Sequence, residues 1–134
     1  MQTRRRIPLF LLAAVALVGG VLVGAEGPPA VRRTILFREP VALPERDGVM
    51  AYVDLPPGSA EGRHTHAGEL FGFVLAGSVE LTVEGEAVQT LSAGAIYHVA
   101  PGRIHDIANP GAVDARTAVV LVSERGKPIS LPVS

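Results

Sequence analysis

Short apolar runs interrupted by turn residues dominate the chain after residue 30. These runs are rich in Val, Ile, Leu and Phe, and a Gly or Pro separates them roughly every eight to twelve residues. No stretch keeps a helical period over several turns. The pattern predicts strands at 34–37, 49–55, 63–66, 70–76, 78–83, 87–91, 95–99 and 113–122.

The strand at 78–83 has the clearest alternation. Val79, Leu81 and Val83 alternate with polar residues, so one face of this strand is expected to be buried and the other wet. Eight short strands cannot all lie in one open sheet, because such a sheet would leave an apolar face and long edges exposed. We therefore predict an all-β fold, a small antiparallel jelly-roll β-barrel that forms one domain over residues 26–134.

The first 25 residues differ from the rest of the chain. Arg4, Arg5 and Arg6 precede an uncharged apolar run at 7–24, and small residues close the run before Glu26. This order is typical of an export signal. An uncleaved membrane anchor is the alternative, because the run approaches the roughly 20 residues that a bilayer requires. Both interpretations place residues 26–134 outside the cytoplasm, periplasmic, secreted or at the cell surface, and only residues 1–25 would touch a membrane.

The composition of residues 26–134 excludes some classes of protein. These residues carry 9 Lys and Arg against 13 Asp and Glu, a net charge of −4, so no basic surface for nucleic acid is expected. The chain has no Cys, which excludes a disulfide scaffold and a Cys-ligated zinc module. Stability must then come from packing, topology or a bound ion.

The histidines of the chain fall close together in the sequence, at positions 64, 66, 98 and 105. His64 and His66 are two residues apart on a predicted strand, so both rings project from one face, about 7 Å apart at the backbone. His105 follows about 40 residues later. A barrel can bring that later segment beside the first strand, so the three rings can converge on one ion.

Two glycine-bounded motifs around these histidines resemble those of the cupin superfamily. The first motif runs from Gly58 through five residues to His64-Thr65-His66 and ends at Gly77. The second runs from Gly94 through five residues to Ala100-Pro101-Gly102, then to His105 and Asn109. The motifs cover about residues 58–109. The resemblance implies a small single-domain cupin in which one divalent metal ion is bound by His64, His66 and His105.

One departure from the cupin pattern affects the ligand set. Leu70 stands where the family has a glutamate ligand, and Glu69 is the nearest carboxylate. Strict alternation from the paired histidines faces Leu70 inward and Glu69 outward. A bulge at 67–68 would shift the phase by one, bring Glu69 to the metal site as its fourth ligand, and turn Phe71 and Phe73 inward. The sequence leaves both arrangements open.

Other residues near the motifs have expected roles that are mainly structural. His98 matches no ligand position and is expected to pack or to line a pocket. Tyr97 and Phe73 are expected to fill the interior of the barrel. Asp106 follows His105 directly and points the other way on a strand, so it should serve a turn or support a ligand.

Two classes of function fit these observations. The first is a metal-dependent enzyme of oxygenase, isomerase or related type, in which iron, manganese, nickel, copper or zinc polarises or activates a small molecule. The second is a non-catalytic module that binds a metal ion or a small ligand, because a fold alone does not carry function. The resemblance also implies a homodimer, for which the apolar segments 34–37 and 119–122 are the candidate contacts.

Overall fold

The computed structural model describes Gly24 and residues 26–134. The predicted export signal or membrane anchor at 1–25 lies, apart from Gly24, outside the described residues. Within the described part of the chain, no helix has the length and apolar character needed to cross a membrane.

Ten strands build the described structure. They are β1 (Arg32–Pro40), β2 (Arg46–Leu55), β3 (His64–Thr65), β4 (Gly68–Ala76), β5 (Ser78–Val83), β6 (Gln89–Ser92), β7 (Ile96–Val99), β8 (His105–Ala108), β9 (Ala115–Glu124) and β10 (Leu131–Pro132). One sheet has the strand order β1-β2-β9-β4-β7 and the other β10-β3-β8-β5-β6. All pairings between neighbouring strands are antiparallel. The predicted all-β jelly roll is confirmed.

The hydrophobic core lies between the two sheets. Side chains of β2, β4 and β9 in one sheet pack against those of β5 and β8 in the other. In β5 the side chains of Val79, Leu81 and Val83 are buried, as their alternation predicts. Because each sheet buries one face against the other, the interior is enclosed by strands alone.

Each predicted strand overlaps an observed one, but the short strands β8 and β10 were not predicted. β8 begins with His105 and Asp106, and β10 contains only Leu131 and Pro132. Neither has an apolar run that would indicate a strand by itself. Both are defined by their partners, since β8 pairs with β3 and β5, and β10 pairs with β3.

The phase of β4 follows strict alternation from the histidines. β4 pairs regularly with β9 from Gly68 to Val74, and its only irregularity in this pairing comes after Val74. No bulge therefore precedes Leu70, which is buried, while Phe71 and Phe73 are exposed on the outer face. The expectation that Phe73 fills the interior is wrong, because the regular pairing keeps it on the outside.

Tyr97 does pack inward, against a glycine of the neighbouring strand. The ring of Tyr97 lies where any side chain at Gly72 would stand, and the two residues are partners in the pairing of β4 with β7. The ring packs against both core clusters. The absence of a side chain at position 72 therefore makes room for an aromatic ring in the interior.

The segments expected to form a homodimer differ in exposure. Ile35, Leu36 and Phe37 are all exposed on β1, an edge strand that pairs with β2. In the segment 119–122, Val120 is exposed and Leu121 is buried. Apolar surface is thus present at the expected contacts, and the homodimer itself stays a prediction.

Gly68 marks a point where β4 and β9 approach too closely for a side chain. A Cβ atom there would collide with the carbonyl oxygen of Val122 and lie 2.6 Å from the Cα of Ser123. We expect Gly68→Ala to lower the free energy of unfolding by about 1–3 kcal/mol, because backbone rather than a flexible side chain would have to move. Urea denaturation measures this change. Gly27→Ala is the control, since nothing lies within 4 Å of that position; equal losses in both variants would contradict the close approach.

Candidate metal centre

The pairing of β3 with β8 brings the predicted histidines together. His64 on β3 is the direct partner of His105 on β8, and His66 follows immediately after β3. The ring centroids are 4.2 Å apart for His64 and His105, 4.8 Å for His64 and His66, and 4.9 Å for His66 and His105. All three residues are buried, and one nitrogen from each lies within 4.8 Å of the others. These three histidines can hold a metal ion.

Backbone carbonyls fix the tautomer of each ring. The Nδ1 atoms of His64, His66 and His105 bond to the carbonyl oxygens of Gly62, Ile129 and Arg103, respectively. A carbonyl can only accept, so each Nδ1 carries the hydrogen and donates it. In a neutral ring the lone pair is then on Nε2, which is the ligand form that histidine uses for metals.

The Nε2 atoms have the surroundings that a metal ligand needs. Nε2 of His64 and Nε2 of His66 are buried and have no hydrogen-bond partner among the described residues. Burial lowers the pKa of His66 to about 4 and also lowers the pKa of His105, so both rings are neutral near pH 7. A buried acceptor without a partner is costly, and a metal ion would satisfy both atoms.

Residues of the second motif hold the loop that precedes the first histidine. Asp106 Oδ1 accepts a hydrogen bond from the backbone N of Gly62 at 2.9 Å, so Asp106 supports the ligand loop. Asn109 is buried, and its side chain donates to the carbonyls of Leu55 and Val113, at 2.8 Å each. The end of the motif therefore fixes backbone rather than binding a ligand.

Glu69 does not join the histidines. Its side chain is 45% exposed on the outer face of β4, and its carboxylate bonds to Nε2 of His98. The ring of His98 stacks on Phe71, with centroids 5.1 Å apart. The sequence-based placement of Glu69 as a ligand is corrected, because the regular β4–β9 pairing faces Leu70 inward.

Another carboxylate, Glu61, reaches the cluster from the loop before β3. Its side chain is only 8% exposed, and Oε2 lies 3.6 Å from Nε2 of His64. Its Oε1 accepts a hydrogen bond from Nε of Arg33 at 2.6 Å. Sequence reasoning missed Glu61, because it lies in a loop before the His-x-His pair, where periodicity does not fix side-chain direction. Its position three residues before His64 is the only sequence signal.

His66 and His105 border a small cavity of about 30 Å³. Most of the residues that line the cavity are Ala, Val, Ile and Leu. The polar lining residues are Arg33, Glu61, His66, Tyr97 and His105. Burial raises the pKa of Tyr97 to about 12, so its phenol stays protonated and can donate a hydrogen bond. A buried water needs on the order of 10–15 Å³, so about two water-sized molecules fit.

The sequence matches the family model described as a cupin domain over residues 51–122, more than half of the chain. The chain is a cupin. The match covers β3 to β8 and parts of β2 and β9, so it includes the three histidines and Glu61 but neither Ile129 nor Arg33. No curated protein matches the sequence.

Solved structures share the fold of this cupin. An uncharacterized conserved protein with a double-stranded β-helix domain from Klebsiella pneumoniae has a TM-score of 0.62 and 22% identity, over 78% of this chain and 85% of that one. A predicted oxalate decarboxylase from Thermotoga maritima has a TM-score of 0.52 and 30% identity, over 56% of this chain and 65% of that one. An oxalate oxidase has a TM-score of 0.58 and 24% identity, over 64% of this chain and 46% of that one. The cupin thus spans less than half of the oxalate oxidase chain.

Acidification should destabilise the metal-free cupin at a higher pH than that at which Asp47 and Asp54 titrate. The pKa of His66 is about 4 in the folded protein, against 6.5 for an ordinary histidine. Between these values the unfolded chain binds a proton that the folded one does not, so stability present above pH 6.5 is lost as the pH falls toward 4. The pKa of Asp47 and that of Asp54 are lowered from 3.8 by bonds to arginines, so their contributions are lost at lower pH.

Urea denaturation of the metal-free protein at about pH 7 and about pH 5 measures this loss. We expect a lower free energy of unfolding at the lower pH and a smaller difference in His66→Asn, which lacks the titrating ring. Equal values for the wild-type protein at both pH values would contradict the burial of neutral imidazoles.

Proposed function

We propose that this cupin is an exported protein that binds one divalent metal ion through His64, His66 and His105 and acts as an enzyme on a small molecule. The observation that supports the proposal best is the set of buried Nε2 atoms whose rings are fixed by backbone carbonyls. Neutral imidazoles in a buried cluster suit iron, manganese, nickel, copper or zinc.

When bound, a divalent ion in such a site polarises a ligand or activates a bound water. The residues of the chain supply the rest of the site. Tyr97 can donate a hydrogen bond from a phenol that stays protonated, and Arg33 places a cation at the cavity. A substrate with an oxygen or carboxylate group would find a donor there, beside an arginine that is already paired with Glu61.

The size of the cavity limits the proposed substrate. About 30 Å³ accommodates only a few non-hydrogen atoms unless side chains move. Relatives in fold are named oxalate oxidase and predicted oxalate decarboxylase, so a very small carboxylic acid is the first substrate class to test, with oxalate as the probe.

A non-catalytic metal-binding or small-ligand module is the second candidate. The aliphatic lining of the cavity favours it, because Tyr97 and Glu61 are the only polar groups there besides Arg33 and the histidines. Catalysis normally requires a group that moves a proton at the reacting atom. In the module, the same histidines would bind the ion without turning over a substrate.

Metal analysis and an activity assay separate these candidates. We expect about one equivalent of metal per chain in the purified protein, and none in the variant His64→Ala/His66→Ala/His105→Ala. Removal of the metal by a chelator should lower the melting temperature, because a ligand that binds only the folded state stabilises it. Oxalate consumption that disappears with the chelator and returns with the metal supports the enzyme. Bound metal without turnover of oxalate counts against that substrate and favours the module, and a metal-free wild-type protein contradicts both the metal-dependent enzyme and the metal-binding module.

Export is proposed from residues 1–25, where three arginines precede the apolar run. Expression of the full chain in a bacterial host, followed by fractionation and intact-mass measurement, tests it. We expect a periplasmic or secreted protein that begins at Glu26. A membrane-bound protein that begins at Met1 would support the anchor, and a cytoplasmic protein of full length would contradict export. A variant that lacks residues 2–25 is the control and should stay in the cytoplasm.

A further inference from the structure

We infer that Glu61 is the carboxylate ligand of the metal centre, in place of the glutamate for which this chain has Leu70. The inference rests on the proposed metal site, and it concerns a residue outside the motif position where the family carries its carboxylate. Glu61 lies in the loop between β2 and β3, eight residues before Glu69. Its buried carboxylate lines the same cavity as His66 and His105.

The distance between Glu61 and His64 fits two ligands of one ion. Donor atoms at about 2.1 Å from a shared metal are about 3.0 Å apart at a right angle and about 3.6 Å apart at 120°. Oε2 of Glu61 and Nε2 of His64 are separated by 3.6 Å. The carboxylate therefore does not need to move far to share an ion with the imidazole.

The chemistry of the two facing atoms requires a cation between them. Nδ1 of His64 donates its hydrogen to the carbonyl of Gly62, so Nε2 of the neutral ring is an acceptor. Oε2 of Glu61 is also an acceptor. Two acceptors that face each other in a buried site repel unless a proton or a metal ion lies between them. With two further imidazoles beside this pair, a metal ion satisfies more unpartnered atoms than a proton does.

The loop holds Glu61 in place before any ion binds. The backbone N of Glu61 donates to the carbonyl of Ile107 at 3.0 Å, and the next residue, Gly62, bonds to Asp106. Arg33 on β1 binds Oε1, which leaves Oε2 toward His64. One carboxylate oxygen is thus paired with the arginine, and the other faces the histidines, while the two backbone bonds hold the loop.

A purely structural ion pair between Arg33 and Glu61 is the competing explanation. The two explanations predict opposite effects of removing Arg33. If the pair only stabilises the loop, loss of either partner weakens metal binding in the same way. If Glu61 is a ligand, Arg33 competes with the metal ion for the carboxylate of Glu61. Loss of Arg33 then leaves the affinity for the metal unchanged or raises it.

Titration of the metal-free protein with Co²⁺ tests the inference, by calorimetry for affinity and by visible absorption for coordination. We expect Glu61→Gln to weaken Co²⁺ binding roughly 10–100-fold and to change the absorption spectrum. Glu69→Gln is the matched control and should bind Co²⁺ as the wild-type protein does. Arg33→Gln should bind at least as tightly as the wild type. Glu61→Asp withdraws the carboxylate by one methylene and should give an altered spectrum, which provides a second test if Glu61→Gln does not fold.

Each outcome of the titration has a distinct meaning. Glu61→Gln that binds Co²⁺ with the affinity and spectrum of the wild type, while His66→Ala loses binding, overturns the role of Glu61 and leaves the histidine site intact. Equal weakening by Glu61→Gln and Arg33→Gln, with unchanged spectra, also overturns it in favour of the structural ion pair. A wild-type protein that binds no Co²⁺ overturns the proposed metal site itself. Thermal unfolding of the metal-free variants shows which of them are folded.

Discussion

Three backbone carbonyls determine the chemistry of the interior. Each accepts the Nδ1 hydrogen of one histidine and thereby leaves its Nε2 as an acceptor, and the Nε2 atoms of His64 and His66 are buried. Because a carbonyl cannot donate, the hydrogen stays on Nδ1 as long as these bonds are kept. The carbonyls of Gly62 and Arg103 lie two residues before their own histidines, so local backbone conformation sets them. The carbonyl of Ile129 comes from the segment before β10.

The sequence predicted the fold where the pattern is local. The alternation of Val79, Leu81 and Val83 identifies a half-buried strand without knowledge of its neighbours. β8 and β10 could not be found in this way, because β8 is defined by its pairing with β3 and β5, and β10 by its pairing with β3. Pairing across the sheet depends on residues that are distant in the sequence, so the sequence of a short polar segment does not predict it.

The candidate site also contains positions that the local sequence predicts and positions that depend on contacts between strands. His64 and His66 share a face because the strand period is two, so the sequence alone predicted their convergence. The inward position of Leu70 depends on the regular pairing of β4 with β9, and composition at 67–68 allowed either phase. Glu61 was beyond prediction, since its surroundings come from other strands: its backbone N bonds to Ile107 and its carboxylate pairs with Arg33.

The contact between His66 and Ile129 also constrains the order of assembly. It joins positions 63 residues apart, and Ile129 comes after β9 along the chain. The strands that enclose the core are all synthesised before this carbonyl, so the sheets can begin to pack while the ring of His66 still lacks its acceptor. The bond that fixes the ring of His66 therefore forms only after the strands of the core have been synthesised.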